Sequence, residues 1–148
     1  MNSHIIGDMK LVLDTSVLVA GLRSRSGASR RLLILLSEER FAAVASVAMM
    51  LEYEAVLKRA NNLHDFGLTA DEIDRFLDDM ALWLIPVTPF YVWRPQLRDP
   101  ADEHVLEAAV AGGVDGIVTF DLRHLAAGAA RFGISVFRPG EALRRLDS

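Results

Sequence analysis

The chain has 148 residues, of which 51% are hydrophobic and 24% are charged, and its formal net charge is −4. This size and composition predict a single globular domain with a substantial core. The lack of cysteine excludes disulfides and thiolate metal sites and favours a reducing cytoplasm as the compartment. The negative charge argues against broad electrostatic attraction to nucleic acid, but it permits a local basic patch.

The longest apolar runs fall well short of the roughly 18 residues that a membrane span requires, so no membrane association is expected. The first eight residues contain no Lys or Arg, which argues against a secretory signal. Met9 can serve as a natural start. We therefore expect one domain over residues 9–148, with residues 1–8 an N-terminal extension or a cloning remnant.

The first half of the chain alternates between strand and helix patterns. An aliphatic run ends at Asp14, and the polar Thr15 and Ser16 then lead into the next helix. Ser46 is suited to cap a helix, and Thr69 begins a capping-box-like sequence. The patterns predict strands at 10–13 and 41–45, helices at 17–22, 30–39, 47–60 and 69–82, and loops at 23–29 and 61–67.

The second half repeats this alternation. Pro86 and Pro89 push a short strand at 84–87 toward a sheet edge, and Asp99 before Pro100 is a strong helix start. That helix ends at a Gly pair, and the remaining patterns predict strands at 116–120 and 134–137, a short turn or helix at 121–125, and a helix at 139–146. The order predicts an α/β fold, a three-layer α/β/α sandwich with a central parallel sheet of four to five strands.

Two acidic residues, Asp14 and Asp121, directly follow predicted strands. Ligands of open parallel sheets bind outside the carboxyl ends of the strands, so both carboxylates belong to the expected site. The alternative for each is a helix N-cap.

Two further acids lie on predicted helices. Glu54 shares a predicted apolar stripe with Val47, Met50, Leu51 and Leu57, which would aim it inward and require a partner. The alternative is a helical ion pair between Glu54 and Lys58.

Asp102 lies one turn before Val105, on the apolar stripe of its helix, whereas Asp99 fits the cap position. The alternative is that both acids only complement the positive end of the helix dipole. Together the four acids predict a cage of oxygen ligands, and such ligands without Cys suit Mg²⁺ or Mn²⁺ rather than zinc.

The sequence resembles the PIN-domain ribonucleases, in particular the VapC-like toxins of type II toxin–antitoxin pairs. The matching segments occur in the order typical of that family and are 11–18 (LVLDTSVL), 51–57 (LEYEAVL), 98–106 (RDPADEHVL) and 116–125 (GIVTFDLRHL). One departure is Phe120, since a small residue often precedes the last acid in similar proteins. The larger side chain would narrow the approach to Asp121.

The resemblance implies a metal-binding, catalytic quartet of Asp14, Glu54, Asp102 and Asp121. It assigns the hydroxyl that steadies the first acid to Ser16 or Thr15. It further implies metal-assisted hydrolysis of RNA to products with a 5′ phosphate. The implied partners are single-stranded RNA and a cognate antitoxin protein, and a homodimer is common among similar proteins.

Three loop arginines near the predicted site, Arg23, Arg25 and Arg123, are candidate contacts for the RNA backbone. Two other enzyme or signalling classes fit less well. A haloacid-dehalogenase-like phosphatase needs a second Asp where Ser16 stands, and a receiver domain needs a Lys late in the chain, whereas the lysines here are Lys10 and Lys58. The remaining rival is a non-catalytic PIN-like module that binds RNA or protein.

Overall fold

The structure is a computed structural model that describes residues 9–89 and 100–147, without the side chains of residues 100–102. The predicted extension at residues 1–8 and the predicted supporting residue Asp99 lie outside the described residues. The side chain of Asp102 lies outside them as well. Within the described part of the chain, no helix combines the length and apolar character that crossing a bilayer demands.

A single parallel sheet organises the domain, and its strands are β1 (Lys10–Leu13), β2 (Ala42–Ala45), β3 (Leu84–Pro86), β4 (Gly116–Val118) and β5 (Ser135–Phe137). The strand order is β3-β2-β1-β4-β5, with every pair parallel. Strand β3 lies at an edge, as Pro86 within it and Pro89 after it predict, because Pro has no backbone N–H to donate to a neighbouring strand. The predicted parallel sheet is therefore confirmed, with five strands among the described residues.

Helices flank this sheet, and those in the described residues are α1 (Thr15–Arg23), α2 (Ala28–Ser37), α3 (Val47–Leu57), α4 (Ala60–Phe66), α5 (Ala70–Trp83), α6 (Pro100–Gly112), α7 (Leu122–Ala130) and α8 (Pro139–Asp147). Local signals explain several of their starts. Ser46 caps α3 by accepting from the backbone N–H of Met49 at 3.1 Å, and Thr69 with Glu72 forms the predicted capping box of α5. The α/β class expected from the sequence is thus confirmed.

The core lies on both faces of the central strand. Leu11, Val12 and Leu13 of β1 are all fully buried. A strand covered on both faces reads as a continuous apolar run rather than an alternating one, which is the pattern of this segment. Its carboxyl end therefore lies at the middle of the sheet edge, and Asp14 is the residue that follows it there.

The structure corrects three predicted segments. The segment predicted as a loop at 61–67 contains helix α4, which the side-chain amide of Asn62 anchors by donating to the carbonyl oxygen of Val56 at 2.7 Å. Gly67, with φ of 68°, ends that helix in the left-handed conformation that glycine adopts without strain. Helix α3 accordingly ends at Leu57, earlier than predicted, and α7 extends to Ala130 rather than stopping near Leu125.

Candidate active site at the carboxyl edge of the sheet

Asp14 is held at the carboxyl edge by hydrogen bonds from two elements. Its backbone N–H donates to the carbonyl oxygen of Val118 at 2.9 Å, which continues the pairing of β1 with β4. It occupies the N-cap position of α1, yet its side chain makes no capping bond. Instead, Oδ2 accepts hydrogen bonds of 2.8 Å from Oγ of Ser16 and 2.8 Å from Oγ1 of Thr119. The carboxylate is therefore fixed for something other than capping.

The two hydroxyls extend this network to the end of β4. Oγ1 of the fully buried Thr119 also accepts from the backbone N–H of Asp121 at 2.9 Å. Oγ of Ser16 accepts from the backbone N–H of Phe120 at 3.4 Å. Each hydroxyl thus donates to Asp14 and accepts from the chain that follows β4, so the ends of the two strands are locked together.

Tyr53 supports the end of β1 from helix α3. Its side chain is fully buried, and its hydroxyl donates to the carbonyl oxygen of Leu13 at 2.5 Å. Burial raises the pKa of this phenol well above its ordinary value, and the nearby negative charge of Asp14 raises that pKa further. Tyr53 therefore stays neutral at physiological pH and remains a hydrogen-bond donor.

Asp121 starts helix α7 without capping it, because its side chain makes no bond to the helix backbone. Oδ2 contacts Nδ1 of His124 one turn later, at 2.5 Å, and both side chains are about half exposed or more. A protonated imidazole would make this a charge-assisted pair. The structure therefore brings Asp121 to the same edge as Asp14. The hydroxyl of the buried Thr119 bonds both the side chain of Asp14 and the backbone of Asp121.

Helix α3 presents its acids differently from the prediction. Val47 is 76% exposed and Leu51 is 60% exposed, so the predicted apolar stripe is wrong. The buried face instead consists of Met49, Tyr53 and Leu57. The predicted stripe was built from aliphatic residues. It missed this face because the central residue, Tyr53, is aromatic and carries a polar hydroxyl.

Glu54 is consequently not an unpaired inward-facing acid. Its side chain is 44% exposed and pairs with Nζ of Lys58 at 2.8 Å, as the alternative reading proposed. The same ammonium lies 2.5 Å from Asp74 of helix α5, and hydrogen bonds to Asp74 first and Glu54 second raise the pKa of Lys58. The observed contact of Glu54 is therefore with this ion-pair group rather than with Asp14.

Glu52, which lies two positions earlier, lines an open groove instead. The groove has a volume of about 690 Å³ and runs beside helix α1, and the residues that matter to its chemistry are Thr15, Ser16, Arg23, Glu52, Arg59 and Phe120. Because Ser16 contacts Asp14 directly, the groove begins at the acidic edge. Among the acids of α3, Glu52 is the one that shares this groove.

The arginines predicted to bind RNA have different environments. Arg23 lies in the groove wall and contacts Asp65 at 3.6 Å and Asn62 at 3.5 Å. Arg25 and Arg123 are exposed, and neither has an ion-pair or hydrogen-bonding partner among the described residues. Arg59, which the sequence reading passed over, lines the groove.

The side chain of Asp102, the fourth predicted acid, lies outside the described residues. Asp102 lies near the start of α6, whose predicted apolar stripe is confirmed, since Val105, Leu106 and Ala109 are buried. Within residues 9–89 and 103–147, no three or more acidic, His or Cys side chains come together closely enough to hold a metal ion. The described part of the edge therefore brings together Asp14 and Asp121.

Sequence reasoning also missed Thr119 and Tyr53. Thr119 had a visible signal, because it is the first polar residue after an apolar strand and precedes Asp121 by two positions. The sequence signal for Tyr53 was weaker, since its role depends on a hydrogen bond to Leu13, forty positions away.

Comparison with known proteins adds one positive finding. The family model described as PIN domain matches residues 10–123, which include β1 to β4 and both acids of the described edge. No curated protein matches the chain.

Proposed function

This chain belongs to the PIN-domain family, and from that premise we propose that it is a metal-dependent endoribonuclease that hydrolyses phosphodiester bonds of single-stranded RNA. PIN domains are in general nucleases, so hydrolysis of nucleic acid is the coarser conclusion that membership supports. The choice of RNA, the Mg²⁺ or Mn²⁺ cofactor and the toxin role are the finer proposals.

The observation that carries the proposal is the way in which Asp14 is held. Both hydroxyls donate to the same oxygen, Oδ2, and no hydrogen bond from a described residue reaches Oδ1. A carboxylate with one oxygen fixed and the other without a protein donor is suited to bind a cation or a metal-bound water.

The available donors have the chemistry that hard divalent cations prefer. Asp14 and Asp121 supply carboxylate oxygens at one edge, and the chain contains no Cys to favour a softer metal. We propose that Asp102 completes the set. For the acid of α3, the groove position of Glu52 favours it over Glu54, which the resemblance assigned but which pairs with Lys58.

A bound Mg²⁺ or Mn²⁺ would supply charge neutralisation and a water of lowered pKa. The chain's own residues have separate tasks. Ser16 and Thr119 orient the carboxylate of Asp14, and the neutral Tyr53 fixes the backbone from which it emerges. Arg23 and Arg59 place positive charge along the groove, where a polyanionic strand would lie. The proposed products carry a 5′ phosphate.

We also propose that the protein is the toxin of a toxin–antitoxin pair, which rests on the resemblance to VapC-like toxins. An antitoxin segment that covers the groove would meet apolar positions such as Val19, Ala20 and Val56 beside the arginines. A homodimer is a further proposal, supported by the exposed apolar side chains of Val47 and Leu51 on one face of α3.

The alternative function is a non-catalytic PIN-like module that binds RNA or protein. The observation that favours it is the pairing of Glu54 with Lys58, which removes one member of the quartet that the resemblance implies. Such a module would bind RNA in the groove without cleaving it.

Cleavage of end-labelled single-stranded RNA distinguishes the two functions. The proposal predicts cleavage in Mn²⁺ or Mg²⁺, loss of cleavage in EDTA, and loss in Asp14→Asn. The matched control is Asp65→Asn, an exposed acid that forms an ion pair with Arg23 and takes no part in the Asp14 network, and it should retain cleavage. RNA binding without cleavage by the wild type, over several RNA sequences and both metals, would support the module instead.

A further inference from the structure

A second cavity adjoins the groove at the acidic edge. Its volume is about 510 Å³, and it lies between helix α1, the start of α2 and the start of α8. Phe120 and Ala20 line both this cavity and the groove, so they form the boundary between the two. The cavity and the groove are therefore continuous neighbours on this surface.

Phe120 occupies this boundary in a fixed position. The residue is 45% exposed although its side chain is large and apolar. Its backbone N–H is bound by Ser16, and its neighbours on either side are Thr119 and Asp121, which belong to the Asp14 network. An exposed aromatic ring on a rigid backbone beside the site is the arrangement that stacks on nucleobases.

The walls of the cavity are mainly apolar, and a few polar residues also line it. Oγ of Ser29 is buried and has no hydrogen-bonding partner among the described residues, although Ser29 lines the cavity. A buried hydroxyl without a partner is unfavourable unless a ligand or water satisfies it. Glu141, Arg138 and Arg144 also line the cavity, and no ion pair joins any of them to another described residue.

We propose that this cavity binds one nucleobase of the RNA strand, stacked on Phe120, while Arg138 and Arg144 contact the flanking phosphates. This inference rests on the proposed ribonuclease function, because the strand is the same substrate. The volume lies within the range of roughly 300–1,000 Å³ that is typical of small-ligand pockets. The cavity would therefore fix the strand relative to Asp14.

The charges favour a base rather than a phosphate inside the cavity. The carboxylate of Glu141 would repel a phosphate, but it can accept hydrogen bonds from the amino or imino groups of a base. The two guanidinium groups are the matching donors for phosphate oxygens.

Fluorescence of a short oligouridine that contains one 2-aminopurine tests this proposal, measured in EDTA so that cleavage is not required. Stacking on Phe120 should quench the fluorophore on binding, and Phe120→Tyr should keep the quenching because it keeps the ring. Phe120→Leu, which keeps apolar bulk without a ring, should lose the quenching and bind about five- to hundred-fold more weakly, the effect expected of one lost stacking contact.

An abasic residue provides the second arm. Removing one base from the RNA should weaken binding to the wild type, and it should have little further effect on Phe120→Leu, because both changes delete the same contact. Urea unfolding of each variant confirms that the fold is retained, which the exposure of Phe120 predicts.

Equal RNA binding by Phe120→Leu and Phe120→Tyr, with equal quenching, would overturn the base pocket while leaving the ribonuclease proposal intact. A wild-type protein that neither binds this RNA nor cleaves any RNA with metal would contradict both proposals.

Discussion

Oγ1 of Thr119 donates a 2.8 Å hydrogen bond to Oδ2 of Asp14, joining residues that lie 105 positions apart in the sequence. The bond links the carboxyl ends of the central strand β1 and its neighbour β4, and Ser16 adds a second donor to the same oxygen. The orientation of Asp14 is thereby determined by a residue of helix α1 and by the residue that directly follows β4. This rigidity is what a metal ligand requires, since supporting donors orient it before the ion binds.

Replacement of Thr119 by Val tests the role of this hydroxyl. Thr119→Val keeps the branched shape but leaves Asp14 with one hydroxyl donor and leaves the N–H of Asp121 without its acceptor. We expect a loss of about 1–3 kcal/mol in the free energy of unfolding, measured in urea, together with weaker metal-dependent cleavage. Thr119→Ser restores the hydroxyl and should recover most of both. Wild-type stability and cleavage in Thr119→Val would show that the bond has no such role.

The two acids of helix α3 give a matched pair of variants. Glu52→Gln changes a groove residue, whereas Glu54→Gln changes the partner of Lys58. We expect Glu52→Gln to lose metal-dependent cleavage and Glu54→Gln to retain most of it. The urea midpoint of Glu54→Gln should change little, since Glu54 is nearly half exposed and Lys58 keeps its ion pair with Asp74. The reverse pattern of cleavage would restore Glu54 to the quartet that the resemblance implies.

The stability of Tyr53→Phe at alkaline pH tests whether the phenol of Tyr53 stays protonated in the folded protein. At neutral pH the variant loses the hydrogen bond to Leu13, which should cost about 1–2 kcal/mol of unfolding free energy. The pKa of Tyr53 is raised in the folded state, so the stability that its protonated form contributes is complete below the unfolded pKa of about 10. That contribution is lost as the pH rises further, because only the unfolded phenol can ionise.

The difference in stability between wild type and Tyr53→Phe should therefore shrink above about pH 10, by about 1.4 kcal/mol for each further pH unit. Urea unfolding of both proteins at about pH 8 and about pH 11 measures this change. A constant difference across that range would mean that Tyr53 titrates normally in the folded state.

Gly116 is required by close packing between β4 and β5. A Cβ added there would overlap the ring atoms Cε2 and Cδ2 of Phe137. We expect Gly116→Ala to lose about 1–3 kcal/mol of stability, as over-packed cores do. Combining it with Phe137→Leu should cost less than the sum of the two single changes, because the smaller side chain relieves the overlap. Additive losses in urea unfolding would indicate that the backbone shifts instead.

The elements with strong local signals could be predicted from the sequence. The strand that ends at Asp14, the capping box at Thr69 and the edge position of the strand at Pro86 all follow from nearby residues. The position of Asp14 and Asp121 at one edge follows from strand ends in a parallel sheet.

The face of helix α3 could not be predicted in the same way. Its burial depends on Tyr53 reaching the carbonyl of Leu13, a contact that local periodicity does not contain. Once Tyr53 is buried, the rotation of the helix places Glu52 in the groove and leaves Glu54 beside Lys58. The different environments of two acids two positions apart therefore depend on tertiary contacts that the local sequence does not show.

Titration of Mn²⁺ into the metal-free protein, followed by calorimetry or by the electron paramagnetic resonance signal of free Mn²⁺, tests the central claim without knowledge of the RNA. We expect saturable binding by the wild type, loss of that binding in Asp14→Asn, and weakened binding in Thr119→Val. Binding of Mn²⁺ by Asp14→Asn with the affinity of the wild type would contradict the assignment of Asp14 as a metal ligand.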